Sequence, residues 1–186
     1  DNITEIRDTL TISGSNEYTE DLMIKNKYLV IEEGSSIILH GKSNIYFENC
    51  EVDARGTKEH QIFINAKGEN TFYAKHLKDS KFNWVNFSGF SALQNDSLFL
   101  PSAITFYLSN ISIKNSKFSD NKLGDDLVNF FSCKMSINNS HFINSLGDAL
   151  DSDFSIGDLD NNYFYSCGND ALDCSGSILN VKNCVF

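Results

Sequence analysis

A right-handed parallel β-helix, an all-β solenoid of about seven coils, is the fold class this sequence predicts, and three observations predict it. Asn115-x-x-Phe118, Asn139-x-x-Phe142, Asn161-x-x-Phe164 and Asn183-x-x-Phe186 recur at intervals of 24, 22 and 22 residues. A fixed short period marks a coiled repeat architecture. The 22-residue step also carries Val128 onto Leu150 and Leu172, Ile137 onto Leu159 and Val181, and Asn129 onto Asp151 and Asp173. That step is too short for two packed helices and a turn, yet it accommodates three short strands and three corners. Composition agrees, because the segments are rich in Ile, Val, Phe, Ser, Asn and Asp, with a single proline, Pro101, in 186 residues.

Residues 1–30 are the least regular and are expected to form an N-terminal cap over the first open coil, leaving 31–186 as the solenoid. Tyr28 to Gly34 and Ser36 to His40 alternate and then turn at glycine, as strands of such a coil do. Asn44 to Val52 resembles the later unit, which predicts Asn49 and Val52 in the asparagine and phenylalanine ladders. From Val52 to Phe87 the period stretches to 35 residues, predicting an insertion within 53–80, and a second excursion covers Phe90 to Pro101. Solenoid insertions emerge as loops on one face, often the binding face.

In the last coils, strand alternation places Val128 and Phe130, Leu150 and Ser152, and Leu172 and Cys174 inside, with Asn129, Asp151 and Asp173 outside. Met135, Ile137, Leu179 and Val181 also face inward by this rule. Phe118, Phe142, Phe164 and Phe186 then stack at the rung spacing of about 4.8 Å and exclude water. The matching asparagines hand side-chain amide bonds along the corner. The chain stops on Phe186 itself, which predicts continuation into a longer chain or end-to-end self-association through an open coil.

The formal charge of −10 argues against nucleic acid and anionic membrane surfaces and favours neutral or cationic partners. No stretch reaches the roughly 20 apolar residues of a membrane span, so membrane insertion is not expected. Cys50, Cys133, Cys167, Cys174 and Cys184 contain no Cys-x-x-Cys pair. Serines stand at the repeat-equivalent positions of Cys133 and Cys184, which predicts thiols packed in small-residue stacks and no disulfide framework. His40, His60, His76 and His141 are scattered and are expected at the surface.

Tyr28 to Gly34, Ile37 to Leu39, Val52-Asp-Ala-Arg-Gly-Thr57 and the later Gly-Asp-Ala-Leu-Asp and Asn-Asp-Ala-Leu-Asp phrases resemble the pectin-lyase-like superfamily of right-handed parallel β-helices. Within it, the likeness is to β-helix segments of bacterial surface and secreted proteins, including some joined to CotH-type spore-coat kinase domains. The resemblance spans 28–186 and implies an extracellular, cell-surface or periplasmic module. It is specific for fold rather than activity, since such coils serve lyases, hydrolases, adhesins and structural parts.

Chemistry is sought among the acids. Successive versions of one segment set Asp126, Asp148 and Asp170 at a corner, and Asn129, Asp151 and Asp173 on the outward face of the next strand. Two carboxylates at the rung spacing repel by about 3.5 kcal/mol at an effective dielectric near 20. Three outcomes relieve that: a cation such as Ca²⁺ held by Asp126, Asp148, Asp151, Asp170 and Asp173, a shared proton, or solvation with hydrogen bonds to corner amides.

Proton sharing would equip a glycoside hydrolase. By resemblance to polygalacturonase-like coils, Asp151, Asp153 and Asp173 are the candidate catalytic acids, although that family's Gly-His-Gly and Arg-x-Lys motifs are missing. A pectate-type lyase would need an Arg or Lys base, and the only arginines, Arg7 and Arg55, lie outside the Asp-rich coils. Phe131, Asp153 and Tyr163, outward aromatics beside an acid, are the candidate carbohydrate contacts. The function expected is therefore a module that binds carbohydrate, Ca²⁺ or both through its Asp-rich face. A polysaccharide lyase or hydrolase, and a structural stalk or assembly subunit without ligand, stand as alternatives.

Overall fold

The computed structural model describes residues 8–95 and 98–186, and among them every regular element is a β-strand. Twenty-two strands coil through three parallel sheets of eight, seven and seven members, and two more form a short antiparallel hairpin. The first sheet runs from Thr9–Ile12 to Ile178–Lys182, the second from Ser15–Tyr18 to Tyr163–Cys167, and the third from Leu22–Lys25 to Leu172–Ser175. Successive strands step from first to second to third sheet, which gives the β-solenoid about seven turns.

The 22-residue step holds through the last coils, with Leu150 opposite Leu172 and Leu159 opposite Val181. Phe87, Phe118, Phe142, Phe164 and Phe186 form one stack, their centroids 4.9, 5.1, 4.9 and 5.0 Å apart and their planes within 10°. A second stack, absent from the sequence reading, sits on the third sheet, where Phe106 and Phe130 lie 5.2 Å apart. Phe72 joins the two stacks lower in the core, meeting Phe87 edge-on at 5.4 Å and Phe106 at 5.5 Å in a tilted contact.

Most corners hold a left-handed residue, and that preference explains the asparagines. Asn115, Asn139, Asn161 and Asn183 have φ between 49° and 57° where the chain passes from the first sheet to the second. Asparagine enters this region more readily than other non-glycine residues. The side chains also form the expected ladder: Asn139 Nδ2 donates to Asn115 Oδ1 at 2.6 Å and Asn161 Nδ2 to Asn139 Oδ1 at 3.1 Å, while Asn183 turns to Asp160 instead. Next to them Ser116, Ser140 and Asn162 accept the backbone N–H of Val85, Ser116 and Ser140, one coil back in each case. These positions are small because they satisfy buried amides, and cysteine replaces serine at the same corners. All five cysteines are free thiols; Cys50 and Cys133 are buried, Cys167 and Cys184 half-buried, and Cys174 exposed.

The early coils depart from the expectation in two places, at Asn49 with Val52 and over 53–80. Asn49, with φ 54°, turns from the third sheet to the first, and Val52 lies in the first sheet, so neither belongs to the asparagine and phenylalanine ladders. The cause is that left-handed asparagines serve corners between different pairs of sheets, so an Asn-x-x-apolar phrase does not identify which corner it makes. The 53–80 segment is not a loop thrown from a coil. It contains strands Ile62–Ala66 and Phe72–Lys75, and Ala54 opposes Phe82 28 residues later because the corners at 56–61 and 67–71 are long. Residues 8–31 are regular too: Thr9 pairs with Tyr28 and Leu22 with Ile45, and residues 1–7 of the expected cap lie outside the described residues. The excursion after Phe90 is the hairpin of Leu93–Gln94 with Phe99–Leu100.

Truncating Phe142→Ala removes the middle ring of the stack and should destabilise the fold by about 3–5 kcal/mol in urea unfolding. At the neighbouring corner, Asn139→Val should cost at least about 1 kcal/mol more than Asn139→Gly, since only the β-branched residue is strained at positive φ. Equal losses for the two corner variants would contradict the left-handed requirement.

Candidate functional site

The Asp-rich segments build the third sheet, as strands Asp126–Phe131, Asp148–Asp153 and Leu172–Ser175. A glycine precedes each acid where coils approach closely. A Cβ at Gly147 would lie 1.9 Å from the carbonyl oxygen of Asp125, so no other residue fits there. Two outward rows result. One runs Tyr46, Tyr73, Thr105, Asn129, Asp151, Asp173, and the other Glu48, Lys75, Tyr107, Phe131, Asp153, Ser175.

The catalytic candidates Asp151, Asp153 and Asp173 therefore share one face on two successive rungs. Asn129, one rung back, donates its Nδ2 to Asp151 Oδ2 at 2.5 Å and to Asp153 Oδ2 at 3.0 Å. Asp126 joins them electrostatically, since it helps to raise the Asp151 carboxyl. It is buried and accepts a 2.6 Å hydrogen bond from Ser102 Oγ.

Burial pushes the Asp126 carboxyl up to about 6 despite that bond. Asp151 rises to about 7, first through burial and then through Asp126 and Asp153, against the pull of Asn129. Its Oδ1 is buried and has no hydrogen-bond partner, while its Oδ2 accepts the Asn129 amide. Thr105, only 6% exposed and opposite Asn129 in the same row, also has a buried hydroxyl without a partner. The repulsion written into the ladder is thus met by a retained proton and by amide bonds.

The metal set expected from the sequence does not converge. Asp148 is buried at the corner, where its Oδ1 accepts the Asn169 side-chain amide and the Asp170 backbone N–H, both at 2.8 Å, and Asp170 itself is exposed. Asp126 stands opposite Asp148 in the corner register while also acting on Asp151, and Asp151 and Asp173 lie in the outward row. Among the described residues, no three His, Cys, Asp or Glu side chains are grouped to hold a metal ion.

Of the carbohydrate candidates, Phe131 and Asp153 are direct neighbours across the rung. Tyr163 is not with them. It lies on the second sheet, stacked at 5.1 Å on His141, because an outward residue in a three-sided coil can face any of three directions. The structure supplies other aromatics. Tyr107 stacks on Phe131 at 5.3 Å, and Phe154 meets Phe131 edge-on at 5.6 Å. Phe154 is 62% exposed and sits at φ 50°, a conformation unfavourable for a bulky residue. Sequence reasoning missed Phe154, Thr105 and the bridging role of Asn129; the only signal was that Asn129 stands where the next two coils have aspartate.

No protein-family model matches this chain, and no curated protein matches it. The site is therefore read from its own chemistry.

Asp126 and Asp151 keep protons in the fold at a pH where the unfolded chain, with carboxyls near 3.8, has released them. Their stabilising contribution is full below about pH 4 and is lost as the pH rises through about 6 and 7. The melting temperature of the wild type should fall between about pH 5 and about pH 8, and Asp151→Asn should flatten the decline. A wild-type melting temperature that rises over that interval would refute the retained proton.

Proposed function

We propose that this protein is an extracellular or cell-surface β-solenoid module that binds carbohydrate on the outward face of its third sheet. One observation carries the reading: Asn129 clamps Asp151 and Asp153 on the next rung, directly beside the Tyr107–Phe131–Phe154 strip. A pyranose offers an apolar C–H face and a rim of hydroxyls. The strip suits the first, with Phe154 most exposed, and the carboxyl groups suit the second. The acidic surface favours a neutral or amino-bearing sugar over a polyanionic one. Holding Phe154 in a left-handed corner, where Gly176 stands in the following coil, fits a side chain kept for contact rather than for the turn.

A second reading rests on the same pair. A proton-holding Asp151 and the Asp153 carboxylate, two residues apart on one strand and so about 6.6 Å between Cα atoms, are the equipment of glycoside hydrolysis. Ca²⁺ bridging the two acids to a glycan is the third use open to them, and it requires both to be ionised.

Phe154→Gly should weaken polysaccharide binding at least about tenfold while leaving or raising the melting temperature, because it removes the ring and relieves the corner. Affinity electrophoresis against neutral and amino-sugar polymers reads the first effect and calorimetry the second; unchanged affinity for every retained polymer in both Phe154→Gly and Asp153→Asn would refute the binding face. Release of reducing ends by the wild type, abolished in Asp151→Asn, would decide for the hydrolase. Calcium affinity should increase as the pH rises through about 7, where Asp151 loses its proton.

A further inference from the structure

The corner between the second and third sheets departs most from the repeat, and it carries a second constellation. Lys42, Lys67 and Lys122 reach this corner from the second, third and fifth coils, and the hairpin of Leu93–Gln94 with Phe99–Leu100 rises from the fourth. Two adjoining clefts result, of about 640 and 510 Å³, which share Lys42, Glu69 and Leu123 in their walls. The first adds Lys67 and Lys122, and the second adds Phe99.

Lys122 is held in place. Its Nζ donates to the carbonyl oxygens of Ala66 at 3.1 Å and Gly68 at 3.0 Å, reaching back past the fourth coil. The side chain crosses there over Gly89, where an added Cβ would come 2.4 Å from the Ala66 oxygen and 3.6 Å from Lys122 Cε. Two acceptors leave one of the three ammonium N–H groups uncommitted. Lys67 lies close enough that its charge, together with burial, lowers the Lys122 pKa. Among the described residues none of the three lysines forms an ion pair, and Glu69 is the one carboxylate in the walls, so the walls carry a local excess of two positive charges on a protein of net charge −10. Beside this charge stand two large apolar side chains left open, Phe99 at 64% and Leu123 at 53% exposed.

Three lysines brought together against a single carboxylate, one of them fixed by backbone acceptors, complement a compact oxyanion with several acceptor oxygens. The adjoining apolar wall complements a body attached to that anion. We propose that this corner is a binding site for an ester of a tetrahedral oxyanion, phosphate or sulfate, with the anion among Lys42, Lys67 and Lys122 and an apolar or aromatic body against Phe99 and Leu123. The site is separate from the acidic face of the third sheet and does not depend on its function.

Titration calorimetry with inorganic phosphate, phenyl phosphate and phenyl sulfate tests the assignment. Phenyl phosphate or phenyl sulfate should bind at least about tenfold more tightly than inorganic phosphate, and the stronger of the two names the ester. Binding should weaken as sodium chloride is raised from about 50 to about 300 mM, as screening of lysines requires. Lys42→Gln with Lys67→Gln should lose at least about tenfold in affinity at unchanged melting temperature, since neither ammonium supports the fold through an ion pair. Phe99→Ala should bring the phenyl esters down to the level of inorganic phosphate. Lys122 is left intact because its removal would also strip two backbone carbonyls of their donor. Absence of binding by both phenyl esters, phenyl esters that bind no better than inorganic phosphate, or a double lysine variant that binds as the wild type would each overturn the proposal.

Discussion

Parallel in-register stacking governs this molecule: each side chain meets its counterpart one hydrogen-bonded rung away, at about 4.8 Å. Whatever residue occupies a position must therefore tolerate a near copy of itself on both sides. Phenylalanine gains from this, and five rings stack through the core with planes nearly parallel. Asparagine gains as well, because an amide both donates and accepts and its left-handed backbone makes the corner. Serine fits where its oxygen can accept the amide of the preceding coil. Aspartate alone is penalised, since a carboxylate accepts only and repels its copy.

The same constraint decides what could be read from the sequence. Where coils keep the 22-residue step, Leu150 over Leu172 and Asp151 over Asp173 were legible, because periodicity alone fixes the register. Earlier coils of 28 and 31 residues, from Ala54 to Phe82 and from Phe82 to Ile113, differ in the length of their corners, the second holding the hairpin within one of them. Corner length leaves the hydrophobic alternation untouched, so the coils were visible while their boundaries were not. Asn49 was misplaced because a left-handed asparagine can make corners between different pairs of sheets, as Asn49 and Asn115 do. Tyr163 was misplaced because alternation separates inside from outside but not one sheet from another. The hairpin after Phe90 was visible as an excursion, yet nothing in its sequence showed that Lys42, Lys67 and Lys122 from three other coils would meet beside it.

Along the third sheet the fold shows two ways of handling charge. In the early coils Glu48 lies between Lys25 at 2.7 Å and Lys75 at 2.8 Å, and these partners hold its carboxyl down to about 2. Opposite charges on successive rungs are thus available to this scaffold. In the late coils the same outward face carries no lysine: Thr105, Asn129, Asp151 and Asp173 follow one another in one row, with Phe131 and Asp153 in the next. There the carboxyls are relieved by Asn129 and by protons held on Asp126 and Asp151.

That difference separates scaffold from site. A face selected only to stack would repeat the lysine and glutamate alternation of the early coils, which neutralises each rung and keeps every donor occupied. The late coils instead keep a buried carboxyl oxygen on Asp151 and a buried hydroxyl on Thr105 without partners, and place the exposed Phe154 at a left-handed corner position that Asn26, Asn49, His76, Leu108, Ser132 and Gly176 fill in the other coils. Each of these lowers stability on its own. They occur together within three coils of one sheet, beside the aromatic strip, so the stacking constraint that accounts for the rest of the coil does not by itself account for this face.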